Sequence, residues 1–220
     1  MKLYRRRLPH WDIPEAPVFV TWRLWGSLPQ ERSFLPEHLT SGEAFVALDR
    51  LLDSTRMGPV YLRQDKIAGI VRDHLQALVA DGLCSLDAYV VMPNHVHVLW
   101  TPHIRLPELM HRAKGPTARW ANKLLGRVGK PFWQEEYFDR LVRSASEYKQ
   151  IRNYIELNPV KAGLVAHPAE FPWSSAGGRE SGSEDPRGLK SALQCAGYQP
   201  RQCRIRSLTV AAWIGGASGL

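Results

Sequence analysis

Two histidines separated by a single residue are the side chains of this sequence best spaced to bind a metal. His95 and His97 lie in an apolar run from residue 86 to residue 100, which Met92-Pro93-Asn94 interrupts. The run predicts two short strands joined by a turn, and residues two apart on a strand project from one face. The two imidazoles would then lie side by side as ligands for a divalent cation. The alternative is a pair of unrelated, half-buried histidines.

A tyrosine and an asparagine one turn apart on a predicted helix form the second candidate pair. Ser144 and Glu147 have capping-box spacing, so the helix is expected to begin there. Tyr154 and Asn158 would lie together at the edge of its apolar stripe, where a tyrosine presents its hydroxyl and an asparagine offers an amide oxygen to a metal. Pro159 is expected to end the helix. Spacing alone favours a plainer role for Asn158, as the residue that ends the helix.

Basic residues are concentrated after the second predicted strand of the histidine run. Between residues 102 and 130 they outnumber the acids by seven to one and surround a tryptophan, as a single-stranded DNA surface requires. The alternative is a solvated helix face with one core tryptophan. Two further arginines could hold phosphate or pair with Asp139 or Glu147. The candidate DNA-binding residues are Arg105, Arg112, Lys114, Arg119, Trp120, Lys123, Arg140 and Arg143.

Composition narrows the classes of protein to which the chain could belong. The 220 residues carry a net charge of +8, which favours an anionic partner, most often nucleic acid. No apolar stretch approaches the roughly 18 residues that a membrane span needs. The three cysteines lack metal-type spacing, which is typical of a reducing compartment. We therefore expect a cytoplasmic protein that does not bind membranes.

The order of predicted elements indicates an α+β fold. Strand, helix, strand, strand, helix and strand match a ferredoxin-like β-α-β-β-α-β antiparallel sheet with helices on one face, and the Tyr154 helix is added at the C-terminal end. Gly115-Pro116 interrupts the second helix, which either kinks there or gives way to a new helix. Residues 1–176 are expected to form one domain. The Gly- and Ser-rich residues 177–220 are expected to be a flexible tail.

The chain resembles the HUH single-tyrosine transposases, and most of all their REP-associated branch. The resemblance covers roughly residues 16–176 and is carried by a specific set of spaced motifs. These motifs are Tyr89-Val-Val-Met-Pro-Asn-His-Val-His97, Phe132-Trp-Gln134, Tyr137-Phe-Asp-Arg140, Tyr154-Ile-Glu-Leu-Asn-Pro-Val-Lys-Ala-Gly-Leu-Val165 and Phe171-Pro-Trp-Ser-Ser175.

The resemblance implies a metal-dependent transposase that cuts single-stranded, hairpin-forming DNA at repetitive extragenic palindromes (REPs). His95 and His97 would bind Mg²⁺ or Mn²⁺, and Asn158 matches the position of a third metal ligand. Tyr154 would be the nucleophile that forms a covalent phosphotyrosine, and residues 1–176 would be the catalytic domain. Such a protein would work at the bacterial nucleoid, as a monomer or a homodimer.

Two other functions are compatible with the same residues. A descendant that binds palindromes without cutting would keep the fold and the basic surface. A hydrolase would use the two histidines to activate water, but such enzymes usually recruit carboxylates or further histidines. No such partner stands out in the sequence.

Overall fold

The structure is a computed structural model, which describes residues 2–5, 9–12, 15–28, 47, 49–54 and 58–178. An N-terminal antiparallel hairpin pairs β1 (Lys2–Arg5) with β2 (Pro9–Asp12). Residues 49–53 are helical and are labelled α1. The remaining elements are β3 (Val18–Arg23), α2 (Asp65–Ala80), β4 (Cys84–Val91), β5 (His95–Pro102), α3 (Leu106–Leu124), β6 (Phe138–Leu141) and α4 (Ala145–Lys161).

The main sheet confirms the predicted ferredoxin-like α+β arrangement. Its four strands are antiparallel in the order β4-β5-β3-β6, which is the order that a β-α-β-β-α-β chain produces. The hairpin of β1 and β2 was not predicted, because strands of four residues are too short to show apolar alternation. Of the expected flexible tail, only residues 177 and 178 belong to the described part of the chain.

Alternation along the strands gives the sheet two buried faces. Val20, Val98 and Trp100 point to one face, where α2 and α3 pack. Phe19 and Leu99 point to the other face, where α4 covers them with residues such as Ile155. The sheet therefore separates α3 from α4. Within the described part of the chain, no helix combines the length and apolar character needed to cross a membrane.

The Gly115-Pro116 interruption is absorbed within one continuous helix. Pro116 lies inside α3 and has no N–H to donate to the carbonyl of Arg112. The ring of His74, on α2, lies with Nε2 2.8 Å from that carbonyl oxygen and donates to it instead. Because the carbonyl keeps a donor, α3 needs no second start at Pro116.

The prediction that Pro159 ends the last helix was wrong. α4 continues through Pro159 to Lys161, because a proline removes only one backbone donor and the next residues still find acceptors. Gly163, just after the C-cap Ala162, terminates the helix, and its φ of 69° is in the left-handed region. There Gly163 N–H bonds the Val160 carbonyl and Leu164 N–H bonds the Pro159 carbonyl, which is a Schellman motif. The extra turn keeps Asn158 inside the helix.

The outer edge of β4 is covered by the segment after α4. Val91 N–H donates to the carbonyl of Trp173 at 2.8 Å, and Tyr89 N–H donates to the hydroxyl of Ser175 at 3.1 Å. The Trp173 ring lies under the guanidinium of Arg72, 5.0 Å from the ring centre. The contact with Arg72 anchors the end of the described chain to α2. The two hydrogen bonds satisfy backbone groups that an open edge of β4 would leave exposed.

Candidate metal and tyrosine site

The two histidines lie side by side at the start of β5. Both side chains are fully buried and project from the face that α4 covers. Their Nε2 atoms are 3.0 Å apart, with the ring planes at 72°. Each ring therefore turns the same nitrogen toward a common point.

Side chains behind the histidines fix which nitrogen faces that point. The amide nitrogen of Asn94 donates to the Leu52 carbonyl at 2.9 Å, so its Oδ1 is left to face His95 Nδ1 at 2.7 Å. An amide oxygen can only accept, so Nδ1 of His95 carries the proton and Nε2 keeps its lone pair. His97 Nδ1 lies 2.7 Å from the hydroxyl of Thr21. Partners of this kind orient histidines that ligate metals.

A carboxylate that was not predicted completes the group. Asp49, on α1, is buried, and its Oδ1 lies 3.1 Å from His97 Nε2 and 3.5 Å from His95 Nε2. Burial alone would raise the pKa of Asp49, but the charge and hydrogen bond of His97, followed by His95, bring it below the ordinary value. Asp49 was missed because it lies in a segment of mixed pattern far upstream of the histidines. The sequence offered one signal for Asp49: a second aspartate, Asp53, follows four residues later, which is one turn of a helix.

Tyr154 and Asn158 meet the same carboxylate from α4. The Tyr154 hydroxyl donates to Asp49 Oδ2, and the amide nitrogen of Asn158 donates to that oxygen at 3.3 Å. The Tyr154 ring centre is 5.7 Å from that of His97 and 6.2 Å from that of Phe19. The tyrosine thus lies beside the histidine pair of its own chain.

The donor set fits a divalent cation. The Oδ1 atoms of Asp53 and Asn158 are buried without a hydrogen-bond partner among the described residues. Burial, and then the neighbouring His97, lower the pKa of His95 to about 3, so its imidazole is neutral at physiological pH. Neutral imidazoles and oxygen atoms lacking donors are what a divalent cation binds. Buried oxygens of this kind otherwise cost free energy.

Two further charges border the group. Asp53 Oδ1 is 3.8 Å from His95 Nε2, and burial, followed by the charge of Asp49, raises the pKa of Asp53 to about 7. The ammonium of Lys161 lies 4.9 Å from the centre of the Tyr154 ring.

A sequence model of IS200-like transposases matches residues 60–158, a segment that contains both histidines, Tyr154 and Asn158. This segment of the chain is similar to the IS200-like transposase family. Its resemblance to the REP-associated branch is confirmed as well. A REP-associated tyrosine transposase of Escherichia coli (strain K12) is 31% identical over 94 residues, which are 41% of this chain and 53% of that protein. The chain thus spans about half the length of that curated relative.

A solved structure shares the fold. It is described as a REP-associated tyrosine transposase bound to a REP hairpin. The match has a TM-score of 0.50 at 20% identity, and it covers 80% of this chain and 82% of that one. At this identity the match supports the α+β fold.

A buried arginine shares the face of the histidine pair. Arg23, on β3, is the cross-strand partner of His95 and is 1% exposed. Its Nη1 donates to the hydroxyl of Ser27 at 3.3 Å, and burial lowers its pKa to about 10. A cation buried beside a metal site suits an anionic substrate. The arginine was missed because it looks like the polar position of an alternating strand.

The cations predicted on α3 lie on the other side of the sheet from this group. Arg112 pairs with Glu108 at 2.8 Å, and the Lys114 ammonium donates to the carbonyls of Gln134 and Glu135. Both contacts are made within the protein and stabilise its fold. Arg105, Arg119 and Lys123 are exposed, and Trp120 is 45% exposed, so Trp120 is no core tryptophan.

Of the remaining two arginines, Arg140 lies on β6 and Arg143 lies just before α4. The Arg140 guanidinium pairs with Glu147 at 2.7 Å, and the other oxygen of that carboxylate accepts from Arg143 N–H at 2.8 Å. Ser144 caps the helix by accepting from Glu147 N–H. Two roles were expected for Arg140, contact with phosphate or pairing with a carboxylate, and its ion pair with Glu147 is the second of these. Both arginines lie on the α4 side of the sheet.

Proposed function

We propose that this protein is a metal-dependent single-stranded DNA endonuclease and strand transferase, which cleaves hairpin-forming DNA through a covalent phosphotyrosine. The observation that carries the proposal is the convergence of the Tyr154 hydroxyl and a metal-binding group on one buried carboxylate, Asp49. The REP-associated relative and the hairpin-bound structure support REP-type palindromes as the substrate.

The histidine pair and the oxygen donors around it would hold the cation. His95, His97 and Asp49 form the group, with Asn158 beside it. When bound, a divalent cation supplies positive charge that polarises the phosphodiester and offsets charge in the transition state. Carboxylate oxygens suit Mg²⁺ and imidazoles suit Mn²⁺, so we expect activity with both ions.

The residues of α4 carry out the proposed bond exchange. The Tyr154 oxygen attacks the phosphorus, the bond from phosphorus to the 3′-oxygen breaks, and the DNA is released with a 3′-hydroxyl. Asp49 Oδ2, which accepts the Tyr154 hydroxyl, is placed to hold the phenolic proton. The 3′-oxygen takes a proton from solvent. A second 3′-hydroxyl reverses the step, and the joining needs no nucleotide cofactor.

Exposed residues of α3 form the proposed DNA surface together with the arginines near α4. Arg119 and Lys123 would contact phosphates, and the half-exposed Trp120 would stack on a base. Arg105 lies exposed before the same helix. Arg140 and Arg143 would meet DNA closer to Tyr154. Arg112 and Lys114 would add to the positive potential without leaving their partners in the protein.

A gel assay with labelled DNA tests the proposal. Purified protein is incubated with end-labelled single-stranded REP hairpins and Mn²⁺, and the products are separated under denaturing conditions. We expect a retarded covalent band with single strands only, absent with a chelator and absent for Tyr154→Phe. Tight hairpin binding without that band in the wild type would replace the proposal with a palindrome-binding protein that does not cut. Product without any covalent band would indicate hydrolysis by water.

A further inference from the structure

We infer that Asp49 bridges the metal and the nucleophile: one carboxylate oxygen ligates the cation and the other holds the Tyr154 hydroxyl. The inference rests on the proposed function and gives α1 a direct part in it. It also changes the role expected for Asn158, which would position Asp49 instead of serving as the third metal ligand.

The spacing of the ligand atoms supports the metal side of the bridge. Asp49 Oδ1 and the two histidine Nε2 atoms form a triangle with sides of 3.0, 3.1 and 3.5 Å. Ligands about 2.1 to 2.2 Å from a metal and at right angles to one another lie roughly 3 Å apart. Two histidines and one carboxylate on a single face of the ion leave its other positions open for phosphate oxygens.

The other carboxylate oxygen supports the nucleophile side. Asp49 Oδ2 accepts from the Tyr154 hydroxyl and, at 3.3 Å, from the amide nitrogen of Asn158. That nitrogen is a donor and cannot ligate a cation. Asn158 therefore touches Asp49 through its nitrogen, while its Oδ1 is buried without a hydrogen-bond partner among the described residues. The carboxylate has the stronger claim to be the third ligand, because it carries a negative charge and its Oδ1 lies 3.1 and 3.5 Å from the two histidine Nε2 atoms.

Mn²⁺ binding to the protein without DNA tests the metal side. Asp49→Asn keeps the shape of the side chain and removes its charge. We expect it to weaken Mn²⁺ binding, measured by electron paramagnetic resonance of free Mn²⁺, by at least about tenfold. Asp81→Asn is the control, since it removes a carboxylate at an exposed position after α2, and we expect a change under about threefold. Wild-type affinity in Asp49→Asn would overturn the inference.

The rate of covalent adduct formation at saturating Mn²⁺ tests the nucleophile side. Asn158→Ala should bind Mn²⁺ within about threefold of the wild type yet form adduct about tenfold more slowly. Asp49→Glu, which keeps the charge but displaces the oxygen that meets Tyr154, should also be slow at saturation. Full restoration of the Asp49→Glu rate by excess Mn²⁺, or loss of Mn²⁺ affinity in Asn158→Ala equal to that in Asp49→Asn, would contradict the bridge.

Two controls keep these outcomes separate. Near-ultraviolet circular dichroism and thermal unfolding of each metal-free variant establish that it is folded, and Asp49→Ser, which also removes the carboxylate, replaces Asp49→Asn in the binding experiment if the latter is not. Failure of the wild type to form any covalent adduct with DNA would contradict the proposed function. The Mn²⁺ affinities, measured without DNA, would still decide whether Asp49 is a ligand.

Discussion

At the scale of single residues, Asn94 connects two parts of the site. Its Oδ1 fixes the tautomer of His95, while its amide nitrogen holds the Leu52 carbonyl of α1. Asp49 lies on that same short helix. One buried amide therefore sets both the orientation of a metal ligand and the position of the segment that supplies the carboxylate.

We expect Asn94→Ala to weaken Mn²⁺ binding by about 10- to 100-fold, because His95 loses its orienting partner. Isothermal titration without DNA measures the change. Asn122→Ala is the matched control, since Asn122 is also buried and donates to a carbonyl, that of Lys130, on the α3 side of the sheet. Both variants should lose stability, but only Asn94→Ala should lose metal. Equal Mn²⁺ affinities in the two variants would show that Asn94 has no orienting role.

At the scale of elements, α3 and α4 divide the proposed work, because the sheet lies between them. The tyrosine and the metal group are on the α4 side, whereas the exposed cations of α3 are on the other. The residues of α3 should therefore affect DNA affinity and leave metal binding unchanged.

We expect Arg119→Ala combined with Lys123→Ala to weaken hairpin binding and to reduce the slope of log affinity against log salt by roughly 1.4, at about 0.7 per phosphate contact with a single strand. Fluorescence anisotropy between low and moderate salt measures the slope. Arg63→Ala with Lys66→Ala removes the same charge at exposed positions before and within the first turn of α2. If both pairs change the slope alike, net charge rather than α3 accounts for binding.

The sequence predicted those elements whose patterns are local. Alternation placed His95 and His97 on one face, and spacing of four placed Tyr154 beside Asn158. It did not predict the contribution of Asp49, because a contact between α1 and β5 leaves no periodic mark in either segment. Nor did it decide whether α3 continues through Pro116, where a histidine of α2 supplies the missing donor, and it wrongly ended α4 at Pro159.

At the scale of the whole molecule, the metal-binding group makes the stability of the metal-free protein depend on pH. Burial and the charge of Asp49 raise the pKa of Asp53 to about 7 in the folded state, above its ordinary value of 3.8. The folded protein therefore binds this proton more tightly than the unfolded chain does. The resulting stabilisation is complete below about pH 4 and is lost as the pH rises to about 7.

We expect Asp53→Asn to become more stable relative to the wild type as the pH rises from about 4 to 7, because the amide has no proton to lose. Urea unfolding in the presence of a chelator measures the difference at each pH. Asp81→Asn, at an exposed carboxylate after α2, is the control for a general charge effect. A difference between Asp53→Asn and the wild type that does not vary with pH would contradict the expectation.

The central claim is that Tyr154 becomes covalently attached to DNA, and peptide mapping of the adduct tests it most directly. Trypsin cuts after Arg152 and Lys161, which isolates a peptide whose one tyrosine is Tyr154, whereas Tyr148 falls in a separate peptide ending at Lys149. After nuclease trimming of the bound DNA, mass spectrometry should find the nucleotide on peptide 153–161. A nucleotide on the Tyr148 peptide, or on any other, would contradict the account.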